Sequence, residues 1–328
     1  MIDRIGIIGG GSWGTALALV AARAGRTVTL YARDAETIDD INRHHENRRR
    51  LPGIPLDKTI AATGDLARAL DADAIILAVP AQSVRAVVAA MPRGLSQGKP
   101  LVVAAKGLER GSGKRMSEIL AEEAPGAIPA MLSGPSFASD VARRLPTAVT
   151  IAAEDEGLAL ALSRALAHDA FRPYAETDLV GVELGGAVKN VLAIAAGIVA
   201  GRKLGASALA ALIARNFVEL RRFAEAMGAL PETPMGLSGL GDLVLTCSGP
   251  QSRNFAFGLS LGGGAALTAP HPLVEGIETA VVVRDLARQH GIAMPIVEAV
   301  ADILAGQLDI DHAIERLMTR PLRRETDS

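Results

Sequence analysis

The sequence predicts an α/β N-terminal domain with a mostly parallel, doubly wound sheet, followed by an all-α C-terminal domain. Three observations predict it. Residues 5–25 read IGIIGGGSWGTALALVAARAG, an apolar strand-like run, then Gly9-x-Gly11-x-x-Gly14, then an apolar helical stretch. Short β-like runs alternate with helical segments through the first half, the pattern of a parallel sheet with crossover helices. From about residue 181 strand signals fade and helical patterns dominate.

Residues 5–8 and 27–31 are the first two strands, and a helix over about 14–24 crosses between them. In that setting the glycines read as a Rossmann dinucleotide fingerprint, the alternative being a glycine-rich turn in some other α/β domain. The first permits the tight turn, the second lets backbone approach a pyrophosphate, and the third packs helix on strand. The phosphates then lie at the helix N-terminus. Further strands follow at 73–79 (DAIILAV) and 101–105 (LVVAA), and 130–132, 148–152 and 171–174 extend the sheet. Ligands bind beyond the carboxyl ends of such strands, so 80–83, 106–109 and 133–138 are candidates for one crevice. Helices are expected over 183–201, 206–228, 277–290 and 295–305, with a glycine-rich block reaching 264 between them. The division is residues 1–180 for the NAD(P)-binding Rossmann domain and 181–328 for a helical substrate-binding and catalytic domain.

The chain's 328 residues suffice for two domains, and 49% hydrophobic against 21% charged residues fits a globular protein. A net charge of −2 argues against a nucleic-acid binder, so any anion site must be local. The single cysteine, Cys247, excludes an intramolecular disulfide and a multi-cysteine metal site. The six histidines form no metal motif, so no metal is expected. The longest apolar stretch, 187–200, is short for a membrane span and carries Lys189 and Asn190. It reads as a buried helix, and a strand beginning so near Met1 leaves no room for a leader. A cytoplasmic location without membrane insertion is expected. The helical domain has room for a homodimer face, which no residue pattern identifies.

At the nucleotide end, the acid that would bond the ribose of NAD is missing directly after the second strand. Arg33 stands there instead, suited to the 2′-phosphate of NADP, with Asp34 next. The alternative is a surface arginine without a role. NADP is favoured and NAD stays open. Ser12 and Trp13 lie inside the turn, where N–H groups face phosphate, although Trp13 is equally readable as a packing residue. The Arg48–Arg50 run is a solvated loop or an approach to the adenosine end.

At the chemical end, the informative residues are polar ones stranded among glycine and apolar neighbours. Lys189, in GGAVKNVLAIAAGIVAG, must find a carboxylate, face a cleft or shift its pKa, because burying an unpaired ammonium is costly. The plainer alternative is a lysine snorkelling from a helix end. Asp242, in GLSGLGDLVLTC, is its candidate partner or the N-cap of a helix starting at Leu243. Ser252-Arg253-Asn254 sets a planar fork beside an amide, suited to phosphate or carboxylate, or an ordinary loop. Lys106 follows an apolar strand, and Ser133-Gly134-Pro135-Ser136 follows the next, so both stand where the sheet takes ligands.

Taken in order, GGGSWGTALA, AAKGLE, SGPSFA, AVKN, GLGDLVLTC, SRN and VEGIETA resemble the bacterial NAD(P)-dependent glycerol-3-phosphate dehydrogenases over nearly the whole chain. The resemblance implies reversible hydride transfer between the nicotinamide and dihydroxyacetone phosphate, supplying sn-glycerol 3-phosphate to phospholipid synthesis. It implies Lys189 as general acid and base, with Lys106, Asp242 and Asn190 beside it and Thr246 a polar neighbour. Gly134, Ser136, Ser252, Arg253 and Asn254 match substrate contacts, the last two at the phosphate. Gly9, Gly11, Ser12, Trp13, Gly14, Arg33, Lys106, Ala138, Arg253, Leu273 and Glu275 match cofactor contacts. Three positions depart from the family: Gly10 replaces an alanine, Asp140 a glutamate, and Arg50 a residue that is often aromatic.

Two other readings compete. β-Hydroxy-acid dehydrogenases also carry a lysine and an asparagine on a helix, but three or four residues apart. The adjacency of Lys189 and Asn190, with SRN downstream, favours a phosphate substrate. A non-catalytic dinucleotide sensor would need none of Lys106, Lys189, Asp242 and Arg253.

Overall fold

Runs of four to six mostly apolar residues build the sheet. In this computed structural model, which describes residues 2–92, 94, 96–322 and 324, ten strands form. They are β1 (Arg4–Ile8), β2 (Thr27–Tyr31), β3 (Glu46–Asn47), β4 (Leu51–Pro55), β5 (Ile60–Thr63), β6 (Ala74–Leu77), β7 (Pro100–Val103), β8 (Ile128–Ser133), β9 (Thr147–Ala152) and β10 (Phe171–Glu176). Eight of them make one sheet in the order β10-β9-β8-β7-β6-β1-β2-β5, and β3 pairs with β4 in a separate hairpin. All neighbours in the large sheet are parallel except β8 and β9.

From β5 to β8 this is the 3-2-1-4-5-6 order of doubly wound dinucleotide-binding folds. Strand order reverses at β1 and β6, so the loop after β1 leaves from the switch point. Ile7, Ile76 and Val102 point to one buried cluster, while Ile8, Ile75, Leu77, Leu101 and Val103 point to the other. A sheet covered on both faces needs continuous apolar strands rather than alternation, as these sequences provide. The covering helices are α1 (Ser12–Arg23), α2 (Ala35–Asp39), α3 (Leu66–Leu70), α4 (Val84–Ala89), α5 (Met116–Glu123), α6 (Ala138–Ala142) and α7 (Glu156–Leu166).

The chain divides into two compact units, Met1–Lys106 with Lys114–Val182, and Gly107–Gly113 with Glu183–Ser328. The alternation that reads as one stretch to residue 180 gives no sign that 107–113 groups with the second unit. There Gly113 lies against Leu286, and Arg110 faces Glu278 at 3.3 Å.

The first unit ends within α8 (Leu179–Gly201), after which come α9 (Ala206–Ala226), α10 (Asp242–Cys247), α11 (Arg253–Gly262), α12 (Glu275–Gln289), α13 (Pro295–Leu304) and α14 (Ile310–Met318). The apolar stretch 187–200 belongs to a longer helix than expected. α8 is long and apolar enough to cross a membrane by length and composition, but 83% of that apolar window is buried within the protein. A helix apolar on every face belongs in a core. Backbone closeness fixes its neighbour: a Cβ on Gly197 would lie 2.1 Å from the Phe255 carbonyl oxygen, and one on Gly258 2.1 Å from that of Ile194. α8 and α11 therefore meet backbone to backbone.

Glu219 of α9 is 3% exposed. Its carboxylate accepts from the N–H groups of Ile296 (2.9 Å) and Val297 (3.2 Å) in the first turn of α13. Burial pushes its pKa up from 4.5 to about 7, against the pull of those donors and of Arg222 and Arg320. A folded-state pKa above the unfolded one means the group stabilises the fold most below pH 4.5 and loses that contribution as pH rises to 7. The stability of the wild type relative to Glu219→Gln, followed by urea unfolding, should therefore fall by about 3 kcal/mol from pH 4.5 to 7 and level off above. A difference independent of pH would show that this carboxyl titrates normally.

Candidate active site

The turn after β1 is built from three glycines with three different surroundings. Gly9 has φ +128°, and a Cβ there would lie 2.4 Å from the Ala78 carbonyl oxygen. Only glycine serves at such a position. A Cβ on Gly14 would lie 1.9 Å from the Gly9 carbonyl oxygen, so α1 can start this close to β1 only with glycine there. A Cβ on Gly11 would meet nothing within 4 Å. Gly11 thus faces open space, as the backbone-approach role requires. Gly11 also caps α1 without a side-chain hydrogen bond, so the helix N-terminus presents main-chain donors to an anion. This cradle fits a dinucleotide pyrophosphate.

Ser12 and Trp13 are the first two residues of α1, and Trp13 also packs partly against the core. The Ser12 hydroxyl donates to the Arg50 carbonyl at 2.5 Å. At the end of β2, Arg33 is exposed and makes no hydrogen bond or ion pair among the described residues. Asp34 is committed elsewhere: its carboxylate accepts from the Thr37 hydroxyl (2.7 Å) and pairs with Arg49 (3.5 Å). The Thr37 hydroxyl holds its pKa below the usual carboxylate value. Arg48–Arg50 form the exposed turn between β3 and β4, with Arg48 paired to Asp40 and Glu46.

Three other candidates of this unit come together. Lys106, just past β7, donates from Nζ to the Gly134 carbonyl at 2.9 Å, and the Ser136 hydroxyl donates to the same oxygen at 3.1 Å. Gly134 has φ +128° and follows β8 directly. Ala138 opens α6 and packs partly into the core.

In the second unit, Lys189 is 6% exposed and Asp242 1%. The ammonium donates to Asp242 Oδ1 at 2.5 Å and to Thr246 Oγ1 at 2.8 Å. The Thr246 hydroxyl donates in turn to the Asp242 carbonyl at 2.6 Å. Lys189 therefore does not snorkel. Asp242 is the first residue of α10, with Gly241 as N-cap, so its side chain serves the lysine rather than the helix end. A π-helical turn, Leu237–Gly241, delivers it there. Gly239 packs against Pro234, and Gly185, one turn before Lys189 on α8, lets Ser238 approach. Cys247 is buried beside this pair, and burial pushes its thiol up to about 12, against the pull of Lys189 and with Asp242 adding a little to the rise. It is no nucleophile.

Asn190 faces another direction. Its Oδ1 accepts from Asn254 Nδ2 at 2.9 Å, while Asn254 Oδ1 accepts from the Gly276 N–H at 2.9 Å. The two amides thus join α8, α11 and α12. Ser252 caps α11 by accepting from the Phe255 N–H at 3.2 Å. Arg253, the first residue of α11, is exposed at that N-terminus and has no hydrogen bond or ion pair among the described residues. A guanidinium and a helix N-terminus together suit a phosphate. Leu273 is exposed just before α12, and Glu275 opens that helix.

Sequence reading missed Gly276 and Asn47. The Gly276 N–H holds Asn254, and a Cβ there would lie 2.6 Å from the Asn190 carbonyl oxygen. The glycine inside VEGIETA was its only signal. Asn47 hydrogen-bonds the glycine turn, and no local pattern marks it.

A doubly wound sheet with a dinucleotide cradle, followed by helices carrying a buried lysine–aspartate pair, defines the class of dinucleotide-dependent dehydrogenases. The model of the NAD-dependent glycerol-3-phosphate dehydrogenase N-terminus matches residues 4–159, and that of the C-terminus matches 178–315. The chain belongs to this family. It is 61% identical to the glycerol-3-phosphate dehydrogenase [NAD(P)+] of Bradyrhizobium sp. (strain BTAi1), with 98% of each chain covered. It is 54% identical to that of Parvibaculum lavamentivorans, again over 98% of each. The crystal structure of glycerol-3-phosphate dehydrogenase from Coxiella burnetii is similar at TM-score 0.91 and 40% identity, covering 97% of this chain and 99% of that one.

The glycine geometry separates two kinds of substitution. Gly14→Ala should destabilise the fold by about 1–3 kcal/mol or more in urea unfolding, because its Cβ meets backbone. Gly11→Ala should leave stability within about 0.5 kcal/mol while weakening dinucleotide binding in a fluorescence titration. The reverse pattern would contradict the assigned roles.

Proposed function

We propose that this chain catalyses reversible hydride transfer between NAD(P)H and dihydroxyacetone phosphate, giving sn-glycerol 3-phosphate. The observation that carries this reading is the buried Lys189–Asp242–Thr246 cluster joined through α8 to the phosphate-suited N-terminus of α11. The nicotinamide, when bound, supplies or accepts the hydride. Gly9, Gly11, Ser12, Trp13, Gly14 and Arg33 hold its dinucleotide, with Lys106, Ala138, Arg253, Leu273 and Glu275 as further contacts carried by the family resemblance.

The chain's own residues handle charge and the proton. As the ketone is reduced, negative charge develops on the C2 oxygen, and an ammonium aimed there stabilises it. Lys189 gives that oxygen its proton and takes it back in the reverse direction. Asp242 and Thr246 hold the ammonium in place before transfer. Arg253 and Asn254 hold the phosphate, with Ser252 beside them. This remote binding energy orients the reacting carbon. Asn190 fixes Asn254, while Lys106, Gly134 and Ser136 complete the candidate substrate contacts.

NADP is the preferred cofactor in this reading, because Arg33 is uncommitted whereas Asp34 is held by Thr37 and Arg49. We place the enzyme in the cytoplasm, supplying glycerophospholipid synthesis. A net charge of −2 argues against a nucleic-acid partner and makes the phosphate site a local one.

Steady-state assays with NADH and NADPH side by side test this directly. Dihydroxyacetone phosphate should be reduced, faster at limiting NADPH, and activity confined to serine, 3-hydroxybutyrate or 6-phosphogluconate would refute the assignment. Lys189→Ala should lower kcat by about two to four decades with dinucleotide binding kept. Unchanged turnover would make Lys189 structural. Arg253→Ala should chiefly raise the KM for dihydroxyacetone phosphate, and an unchanged KM would remove its phosphate role.

A further inference from the structure

Asn47 ends the two-residue strand β3 and is 1% exposed. Its Nδ2 donates to the Gly10 carbonyl at 3.1 Å and to the Thr15 hydroxyl at 2.8 Å, while its Oδ1 accepts from the Arg50 N–H at 3.3 Å. Both amide hydrogens and the oxygen are thereby committed. Three residues on, the Arg50 carbonyl receives the Ser12 hydroxyl at 2.5 Å. The hairpin turn 47–50 is therefore tied to the glycine turn at Gly10, at the first residue of α1, and at Thr15 one turn into that helix.

The bond to Gly10 has a directional consequence. A peptide unit is planar and trans, so the carbonyl of Gly10 and the N–H of Gly11 point in opposite directions within one plane. Holding the Gly10 oxygen toward Asn47 aims the Gly11 N–H away from the hairpin. Gly11 is also the glycine with open space beside it and backbone angles of −78° and 178°. Glycine has no Cβ and leaves such a plane freer than other residues do. The Asn47 bond therefore adds a restraint at Gly10 itself to the flanking backbone bonds, Gly9 N–H to the Tyr31 carbonyl and Thr15 N–H to the Gly11 carbonyl. A buried asparagine with its donors spent on main chain and hydroxyl is a means of choosing one orientation.

We infer that Asn47 is a positioning residue for dinucleotide binding: it fixes the Gly10–Gly11 peptide plane, and so the main-chain donors of the cradle, by clamping the β3–β4 hairpin onto the turn. The inference rests on the reading that the dinucleotide binds at Gly9–Gly14. A turn that samples several orientations binds with an apparent Kd raised by the reciprocal of its competent fraction. Loss of the clamp is therefore a loss of cofactor affinity rather than of chemistry.

Trp13, the only tryptophan, lies in the first turn of α1 and reports binding by its own fluorescence. Titrations with NADPH and NADH should give Kd values about tenfold higher for Asn47→Ala and for Asn47→Asp, which keeps the acceptor and loses both donors. The KM for dinucleotide should rise in parallel, with kcat at saturating dinucleotide and the KM for dihydroxyacetone phosphate each within about twofold of wild type. Thr15→Val, which removes one of the two acceptors, should raise Kd by about threefold and serves as the deciding variant if Asn47→Ala does not fold. A purely structural role would lower Tm and leave the Kd of the folded fraction unchanged, and that result overturns the proposal. If the wild type itself fails to bind either dinucleotide, the underlying reading fails. If it binds and the variants match it, only the role of Asn47 fails.

Discussion

An ammonium group on a helix that is apolar on every side has to be neutralised, and residues 234–247 are arranged around that requirement. Lys189 could not be buried in α8 at tolerable cost without an opposite charge within reach. Asp242 supplies it at 2.5 Å, and Thr246, one turn further along α10, takes a second hydrogen. Asp242 arrives there because the π-helical turn before it is packed against Pro234 and Gly185 with no room for side chains. Buried ion pairs add little net stability, since desolvation offsets their attraction. In the proposed function their retention follows from what an oriented ammonium does to a developing alkoxide.

The second constraint is the close approach of α8 and α11. Gly197 and Gly258 let the two backbones meet, which sets the N-terminus of α11 relative to Lys189. The Asn190–Asn254–Gly276 chain fixes the same relation by hydrogen bonds. The proposed proton-transfer group and a phosphate-suited helix end are thus held to each other by backbone contact and hydrogen bonds, as remote binding energy requires if it is to orient a reacting carbon. The cradle of the first unit follows the same logic. Gly9 and Gly14 are glycine because other backbone lies where a side chain would be, and Gly11 because space is left open.

Much of this was legible in the sequence for local reasons. The first strand, the turn and α1 announce themselves by an apolar run, three spaced glycines and an apolar helix. Lys189 and Asp242 stand out because each is a charge among apolar residues and glycines, and the structure pairs them. What escaped depends on distant partners. β5 is only IAAT, too short and alanine-rich to carry a strand signal, and it exists because β2 offers an edge. Asn47 sits in a polar stretch that reads as loop, yet it is among the most buried polar side chains of the described residues. Glu219 lies on an amphipathic helix like any solvent-facing acid, until α13 covers it. The grouping of 107–113 with the second unit has no signature at all.

The most direct measurement of the central claim is a double-mutant cycle on Lys189 and Asp242, reading unfolding free energy and turnover together. Removing either partner alone, as Lys189→Met or Asp242→Leu, should cost about 3–5 kcal/mol by leaving a buried charge uncompensated. The double variant should recover most of that stability while its turnover of dihydroxyacetone phosphate stays about two to four decades below wild type. A double variant no more stable than either single one, or one that keeps its turnover, would contradict a pair maintained for proton transfer.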